Sequence, residues 1–373
     1  MRTAIIHYWF IRRRGGERVV ESLLKLYPEA DIYTLFYDKE KYDGDLKGRK
    51  VYSSILNNSF FRKNHHYFFP LFPVGIKLLK LKKKYDLIIS SESGPAKGIK
   101  THKQTPHICY VHTPMRYCWG YTHEYTANKP FFLKMILKGL FYLLRLWDKT
   151  TIDNVDLFIA NSENVKNRIK KFYGKEAKVI FPPVRSELFK KPLVSANKKK
   201  KHFLCFGALV PYKRIDLLVD LFNGREENLV IIGDGPMRNQ LEKKVGKNIQ
   251  FFGRISWDEV EEKINESRAL IFPGEEDFGI IPLEVMALGI PVIAYAKGGA
   301  LETVINDKKN NKNSTGVFFS EQSIESLRAS LEYFKSIENE FDPEYIRNHA
   351  SSFKELNFLN SFSKTVKQFL NEK

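Results

Sequence analysis

Two glutamates that stand eight positions apart, Glu276 and Glu284, have the spacing in this sequence that most clearly suggests chemistry. They follow ALIFPG, an apolar run of strand length, so the first is expected in a loop and the second in the next helix. Between them, residues 278–280 would begin that helix, where unpaired amides and the helix dipole favour a phosphate. Carboxylates accept hydrogen bonds from hydroxyl groups, as a sugar presents. The pattern therefore suits a nucleotide sugar; the alternative is an exposed helix residue and a solvated acidic loop.

Glycine and histidine residues at the ends of other apolar runs are weaker candidates. Gly15 and Gly16 follow TAIIHYWF, where missing side chains would let backbone amides approach a phosphate, although an ordinary turn is the alternative. His112 ends the run ICYVH, and its imidazole can donate to a sugar hydroxyl or a phosphate unless it is a structural histidine. His65 and His66 have no carboxylate at metal-ligand spacing, and we interpret them as surface residues.

Strand-like and helix-like segments alternate along the chain, and this alternation would place these residues at strand ends. The pattern runs from TAIIHYWF to AKVIFPPV, breaks at FPPV and KKPLVSANKKKK, and restarts at HFLCFGAL. Such alternation predicts an α/β protein with two Rossmann-like, doubly wound domains that face a central cleft. The expected domains are 1–183 and 184–342, followed by a helical segment, 343–373, that packs back across them.

Composition excludes several classes of protein. A chain that is 43% hydrophobic and 28% charged is too apolar to be disordered. Cys109, Cys118 and Cys205 form no CxxC pair, which argues against a disulfide framework or a thiolate zinc site. The N-terminus reaches arginine too soon for a signal peptide, and no run approaches the ~20 apolar residues of a membrane span. We expect a cytoplasmic protein, peripheral on the inner face of the plasma membrane.

The formal charge of +18 lies entirely in the first half of the chain. Residues 1–185 contain 34 Lys and Arg against 16 Asp and Glu, whereas residues 186–373 contain 27 of each. A basic face attracts nucleic acid, anionic lipid or phosphorylated substrates. Aromatic and basic residues interleave at 60–84 and 129–149, as they do on surfaces that dock on anionic membranes. The alternative is that the aromatic residues are core and the lysines are solvated.

Ordered segments across nearly the whole chain resemble the retaining GT-B glycosyltransferases of family four. The stretch from Glu276 to Glu284 is similar to their E-x7-E motif, and RGGERVVESLL to their glycine loop. The segment YVHTPMRYCWG resembles a form found in bacterial O-antigen and capsule mannosyltransferases. Four further segments match in order: FGALVPYKRIDLLVDLF, IIGDGP, FFGRIS and PVIAYAKGGALETV.

The resemblance implies a role for each residue of the donor site. Glu284 would bind the ribose hydroxyls and Glu276 the hydroxyls of the donor hexose. The backbone of Phe278, Gly279 and Ile280 would hold sugar and phosphate. The residues whose backbone would bind the nucleobase are Arg254 and Ile255.

The resemblance places positive charge on the donor diphosphate. Lys213 would neutralise it. Many relatives have arginine directly after the glycine of the opening strand, whereas here Ala208 follows Gly207, so Arg214 is expected to supply the second charge. In the first domain, Gly16 would bind the donor and His112 would take part in catalysis.

The function implied is transfer of a hexose with retention of anomeric configuration and without a metal or other cofactor. The best match is mannose from GDP-mannose, moved onto a lipid-linked oligosaccharide of a bacterial surface polysaccharide. A UDP-sugar donor is one alternative. A basic nucleic-acid-binding protein is an alternative of another class, although the sequence contains no recognisable nucleic-acid-binding module. A dinucleotide oxidoreductase would need the G-x-G-x-x-G that is missing after the first strand, and a nucleotide-sugar epimerase would form product without an acceptor.

Overall fold

The chain folds into two compact units. A computed structural model describes residues 1–42, 44, 46, 48–102, 104–126, 129–193 and 200–373. Unit 1 comprises Met1–Pro183 and Leu356–Lys373, and unit 2 comprises Val184–Glu355. Residues 194–199, the centre of the proposed linker, lie outside the described residues.

Unit 1 is built on a seven-stranded parallel sheet with the order β3-β2-β1-β4-β5-β6-β7. The strands are β1 (Thr3–Phe10), β2 (Asp31–Tyr37), β3 (Val51–Ser53), β4 (Leu87–Glu92), β5 (His107–Val111), β6 (Leu157–Ala160) and β7 (Ala177–Val179). The helices are α1 (Gly15–Leu26), α2 (Ser59–Lys63), α3 (Phe72–Leu78), α4 (Thr122–Thr126), α5 (Phe131–Thr150) and α6 (Glu163–Tyr173), joined at the end of the chain by α14 (Glu355–Asn371).

Both faces of this sheet are covered, because successive side chains of a buried strand point to opposite faces. On β1, Ile5 packs in the cluster that contains the apolar residues of α1 and α14. Its neighbours Ala4 and Ile6 pack in a second cluster, with residues of α3. The result is a three-layer α/β/α arrangement, which confirms the predicted Rossmann-like fold.

Unit 2 repeats the plan with a six-stranded parallel sheet of order β10-β9-β8-β11-β12-β13. Its strands are β8 (His202–Phe206), β9 (Leu229–Ile232), β10 (Ile249–Phe252), β11 (Ser267–Phe272), β12 (Val292–Tyr295) and β13 (Gly316–Phe319). Its helices are α7 (Ile215–Phe222), α8 (Arg238–Glu242), α9 (Trp257–Asn265), α10 (Ile280–Met286), α11 (Ala300–Thr303), α12 (Ile324–Ile337) and α13 (Pro343–Ser351).

Each sheet has one point at which the strand order reverses direction, and ligands of doubly wound sheets bind beyond the carboxyl ends of the strands there. In unit 1 this point lies between β1 and β4, and in unit 2 between β8 and β11. Gly16 lies in the first turn of α1, which follows β1, and Glu276 lies in the loop after β11. The topology alone therefore marks the segments that the sequence singled out.

The structure differs from the sequence expectations in detail. The short edge strand β3 was not predicted, because its residues, VYS, are half-buried or exposed and belong to no apolar run. In the C-terminal segment, α13 belongs to unit 2, whereas α14 packs Phe358, Phe362 and Val366 into the core of unit 1. His65, which we interpreted as a surface residue, is half-buried because its ring packs edge to face against that of Trp9 in β1.

Helix α5 carries an exposed apolar face. The helix buries Phe141, Leu144 and Asp148, and the opposite side is largely uncovered, with the side chain of Phe132 77% exposed and that of Leu143 61% exposed. The exposed large apolar residues of α5 are Phe131, Phe132, Leu133, Met135, Ile136, Tyr142, Leu143 and Leu146. None of the helices in the described ranges has the length and apolar character that a membrane span requires.

Candidate functional site

Lys213 and Glu276 form an ion pair at the switch point of the unit 2 sheet. The Lys213 Nζ lies 2.6 Å from Glu276 Oε1, and both side chains are mostly buried. Burial alone would lower the pKa of Lys213, but the adjacent Glu276 carboxylate outweighs this and raises it above its usual value. The raised pKa keeps Lys213 protonated, and an ammonium group has three N–H donors, more than the contact with Glu276 uses.

Two glycines allow the loops to approach this lysine. Gly207 directly follows β8 and has φ at 143°, and a Cβ there would lie 3.0 Å from Lys213 Nζ. A Cβ at Gly274 would lie 2.8 Å from Lys213 Cα. Gly207, at the end of the preceding strand, and the loop after β11 therefore both approach Lys213 closely.

Glu284 is buried inside α10, with 2% of its surface exposed. Its Oε1 lies 3.1 Å from Nε of Arg185, and the Arg185 guanidinium lies 3.6 Å from the centre of the Trp257 ring. The alternative of an exposed helix glutamate is therefore wrong. The sequence analysis did not identify Arg185 or Trp257, because neither residue lies near Glu284 in the chain and no local pattern links them.

The start of α10 is shaped by glycine. Gly279 has φ at 84°, a left-handed conformation that disfavours any side chain, and it precedes Ile280 at the first helical position. Gly299 donates its N–H to the Glu276 carbonyl at 2.8 Å, and a Cβ at Gly299 would lie 2.3 Å from the Phe278 Cα. The loop that contains Gly299 therefore packs against segment 276–280 so closely that a side chain at position 299 would clash with Phe278.

The remaining basic candidates of unit 2 have partners of their own. Arg214 has φ at 50° and binds Asp216, with Nη2 3.0 Å from Oδ2. Arg254 follows β10 and is mostly exposed, with its Nε 3.7 Å from Asp234 Oδ2. Ile255, beside it, is half-buried. Arg214 and Arg254 are thus paired with aspartates that have no proposed role, whereas the partner of Lys213, Glu276, is also a candidate donor-binding residue.

In unit 1 the candidates Gly16 and His112 lie side by side. A Cβ at Gly16 would lie 3.6 Å from His112 Nε2 and 3.3 Å from His7 Cε1. The Ser91 hydroxyl lies 2.8 Å from His112 Nε2 and 3.0 Å from His7 Nδ1, so one hydroxyl links the two imidazoles. Burial, with a smaller contribution from His7, lowers the pKa of His112 to about 3, which keeps this imidazole neutral at pH 7.

The sequence analysis did not single out His7 and Ser91. His7 lies inside β1 and Ser91 inside β4, and these neighbouring strands are joined only by the sheet. The sequence offered one hint of a role for His7, which is that it is a histidine in an otherwise apolar strand. Their hydrogen bonds orient His112, and Glu17 at the start of α1 lies 3.9 Å from His7.

Two family models match this chain, one in each half. The model described as Glycosyltransferase Family 4 matches residues 13–188, and the model described as Glycosyl transferases group 1 matches residues 186–351. Between them they span nearly the whole chain.

Curated relatives are similar at low identity. An uncharacterized glycosyltransferase of Methanocaldococcus jannaschii, MJ1178, is 28% identical over 83% of this chain and 84% of its own length. An alpha-1,3/1,6-mannosyltransferase of Schizosaccharomyces pombe, alg2, is 24% identical over 91% of this chain and 76% of its own. A GDP-mannose-dependent phosphatidylinositol monomannoside mannosyltransferase of Mycobacterium tuberculosis is 28% identical over 47% and 51%, respectively.

Solved structures share the fold. A sucrose-phosphate synthase of Thermosynechococcus elongatus superposes with a TM-score of 0.74 at 15% identity and covers 100% of both chains. WaaG, a glycosyltransferase involved in lipopolysaccharide biosynthesis, has a TM-score of 0.67 at 15% identity and covers 97% of this chain and 99% of its own.

Proposed function

Because this chain belongs to the GT-B glycosyltransferases of the family-four type, we propose that it transfers a hexose from a nucleotide sugar to a lipid-linked acceptor. The observation that carries the proposal is the Lys213–Glu276 pair, which lies with the buried Glu284 on the loops and the helix that follow β8 and β11, where doubly wound sheets bind ligands. The match across residues 13–351 favours an enzyme over the nucleic-acid-binding alternative.

The proposed donor is GDP-mannose. Two of the relatives described above are mannosyltransferases, and the name of the one from Mycobacterium tuberculosis specifies GDP-mannose. We assign the donor hexose to Glu276, the ribose to Glu284, and the diphosphate to Lys213 and the backbone at 278–280. The nucleobase is assigned to Arg254 and Ile255 at the end of β10.

The proposed reaction retains the anomeric configuration. The acceptor hydroxyl attacks the anomeric carbon on the face from which the nucleoside diphosphate departs. A new glycosidic bond forms, the bond to the phosphate oxygen breaks, and the acceptor proton passes to the departing diphosphate. Lys213 stabilises the charge that develops on this leaving group, and Glu276 is assigned to orienting the hexose rather than to nucleophilic attack.

The binding of the diphosphate is tested by Lys213→Ala. We expect the affinity for the nucleoside diphosphate to fall by ~1.5–3 kcal/mol, the range for a hydrogen bond to a charged group. Calorimetry on the purified chain measures this, with Lys243→Ala, an exposed lysine of the same unit, as the control. Unchanged affinity in Lys213→Ala would remove this lysine from the site and direct attention to Arg214.

Transfer is expected to be independent of divalent metal ions. Among the residues that the structure describes, no group of three or more His, Cys, Asp and Glu side chains could hold a metal ion. The proposal rests on Lys213 and the amides at the start of α10 supplying the positive charge. Activity in EDTA should equal activity in magnesium. Loss of transfer in EDTA that magnesium or manganese restores would contradict this assignment.

We place the protein at the surface of an anionic membrane through the exposed face of α5. Lys134, Lys138 and Lys149 are spaced at four and eleven positions, so they form a basic row along one flank of the apolar face. An interfacial helix has this pattern, since its apolar side enters the acyl boundary and its cations meet the headgroups.

A further inference from the structure

Ser91 links two histidines of unit 1, and the geometry of this link indicates which ring nitrogens carry the protons. Ser91 lies in β4, His7 in the neighbouring strand β1, and His112 directly after β5. The Ser91 hydroxyl lies 3.0 Å from His7 Nδ1 and 2.8 Å from His112 Nε2. His7 and Ser91 are fully buried, whereas His112 is half-buried. Because buried polar groups need partners, the direction of each hydrogen bond can be worked out within this group.

His7 donates to Ser91. Besides the hydroxyl, His7 Nδ1 lies 3.3 Å from the Ser91 carbonyl oxygen, which can only accept a hydrogen bond. A proton on Nδ1 satisfies this contact, whereas an unprotonated Nδ1 would direct its lone pair at the carbonyl oxygen. The reverse arrangement would place the His7 proton on Nε2, which lies 3.9 Å from the Glu17 carboxylate, beyond hydrogen-bond distance. The His7 Nδ1–H is therefore the donor in both contacts with Ser91.

Ser91 in turn donates to His112. The hydroxyl has one hydrogen and accepts from His7, so its hydrogen is available for the lone pair of His112 Nε2. If His112 Nε2 were protonated, the hydroxyl would accept twice, and its own hydrogen would be buried without a partner among the described residues. Burial, with a smaller contribution from His7, lowers the pKa of His112 to about 3 and keeps the ring neutral. A neutral ring with an unprotonated Nε2 carries its proton on Nδ1.

The Nδ1 side of the His112 ring is the side left for a ligand. Nε2 is occupied by Ser91, and a Cβ at Gly16 would lie 3.6 Å from Nε2 and 3.8 Å from Cδ2, so this side of the ring faces α1. Within the described ranges, the bond to Ser91 is the one hydrogen bond that the ring makes. His112 follows β5 at the carboxyl edge of the sheet, where doubly wound sheets bind ligands. An N–H group there can donate to a ligand oxygen but cannot accept a proton.

We propose that Ser91 is a positioning residue that fixes His112 in its Nδ1–H form, so that His112 donates a hydrogen bond to an oxygen of the nucleotide sugar and takes no proton from the acceptor. This assignment rests on the proposed function for the identity of the ligand. It agrees with the proposed reaction, in which the departing diphosphate takes the acceptor proton. The arrangement of the protons does not rest on that function, because it follows from contacts within unit 1.

The arrangement of the protons is tested by NMR of the full chain labelled with nitrogen-15 histidine. At pH 7, long-range proton–nitrogen correlations distinguish a protonated ring nitrogen from an unprotonated one, and His112→Gln identifies the His112 signals by their loss. We expect a protonated Nδ1 and an unprotonated Nε2. A proton on Nε2 would overturn the proposal, because His112 would then donate to Ser91 and offer Nδ1 to a ligand as a proton acceptor.

The role of Ser91 is tested by Ser91→Ala, with Ser90→Ala as the matched control. Ser90 precedes Ser91 in β4, and its hydroxyl lies 2.9 Å from Nε2 of another histidine, His107. In Ser91→Ala, the His112 nitrogens should shift to the intermediate values of two exchanging forms. The kcat/KM for transfer should fall about two- to tenfold, as expected for the loss of one hydrogen bond between neutral groups. Ser90→Ala should change neither measurement. Unchanged His112 signals in Ser91→Ala would overturn the role of Ser91.

The outcomes separate this inference from the proposed function. The wild-type spectrum decides where the His112 proton lies even if thermal unfolding shows that Ser91→Ala is not folded. If the wild type transfers no sugar while His112 carries its proton on Nδ1 and responds to Ser91→Ala, the proposed function fails and the positioning of His112 by Ser91 stands. If transfer occurs and the His112 proton lies on Nε2, the proposed function stands and this inference fails.

Discussion

Replacement of Glu276 or Glu284 by glutamine is expected to reduce glycosyl transfer by about 10- to 150-fold, equivalent to the loss of ~1.5–3 kcal/mol for one hydrogen bond to a charged group. Glutamine keeps the size of each side chain and removes its negative charge. Glu276 would lose its attraction for Lys213 and Glu284 its attraction for Arg185. Initial rates at saturating and limiting donor concentrations measure the effect on kcat and on kcat/KM.

The matched control is Glu275→Gln, which removes a carboxylate from the same loop one residue away. Glu275 lies 4.0 Å from Lys297 and has no assigned role in binding the donor, so transfer should stay within about twofold of the wild type. Thermal unfolding of all three variants shows whether each remains folded. A folded Glu276→Gln or Glu284→Gln variant with the wild-type rate would remove that glutamate from the site.

Removal of the apolar face of α5 is expected to abolish attachment to anionic vesicles. We choose Phe132→Ser, Met135→Ser and Leu143→Ser together, because these side chains are mostly exposed and contribute little to the core. Full burial of each such side chain contributes about 1.5–3 kcal/mol, so the loss of all three outweighs the ~1 kcal/mol that each nearby cation contributes. Flotation with phosphatidylserine vesicles measures the bound fraction.

A control variant changes exposed apolar residues away from α5: Leu301→Ser, Tyr333→Ser and Leu356→Ser. It should float as the wild type does. Binding of the wild type should also require anionic lipid and fall with salt, because the basic row of α5 acts through screened charge. If the α5 variant and the control variant float to the same extent, the exposed face of α5 does not bind the membrane.

The alternation of apolar runs was sufficient to predict the architecture, because buried parallel strands and amphipathic helices leave a strong local signal. The run before Glu276 is β11, and the run before Gly16 is β1. The short strand β3 left no such signal. The predicted helix that holds Glu284 is α10. The alternative of an exposed glutamate is wrong, because residues 282–286 of this helix are all buried.

Side-chain partners could not be predicted, because distant parts of the chain supply them. Arg185 reaches Glu284 across about a hundred residues of sequence, and Ser91 links His7 to His112 through hydrogen bonds between strands. These contacts depend on how the chain folds in three dimensions, which periodicity does not encode.

The central claim, retaining transfer from a nucleotide sugar, is tested most directly by one assay of the purified chain with a panel of GDP-, UDP- and ADP-sugars and a lipid-linked acceptor. Release of nucleoside diphosphate and the anomeric configuration of the product are measured together by proton NMR. The account predicts release that depends on the acceptor, is fastest with GDP-mannose, and gives an α-linked product from the α-configured donor. An inverted product, or no acceptor-dependent release from any sugar of the panel, would contradict it.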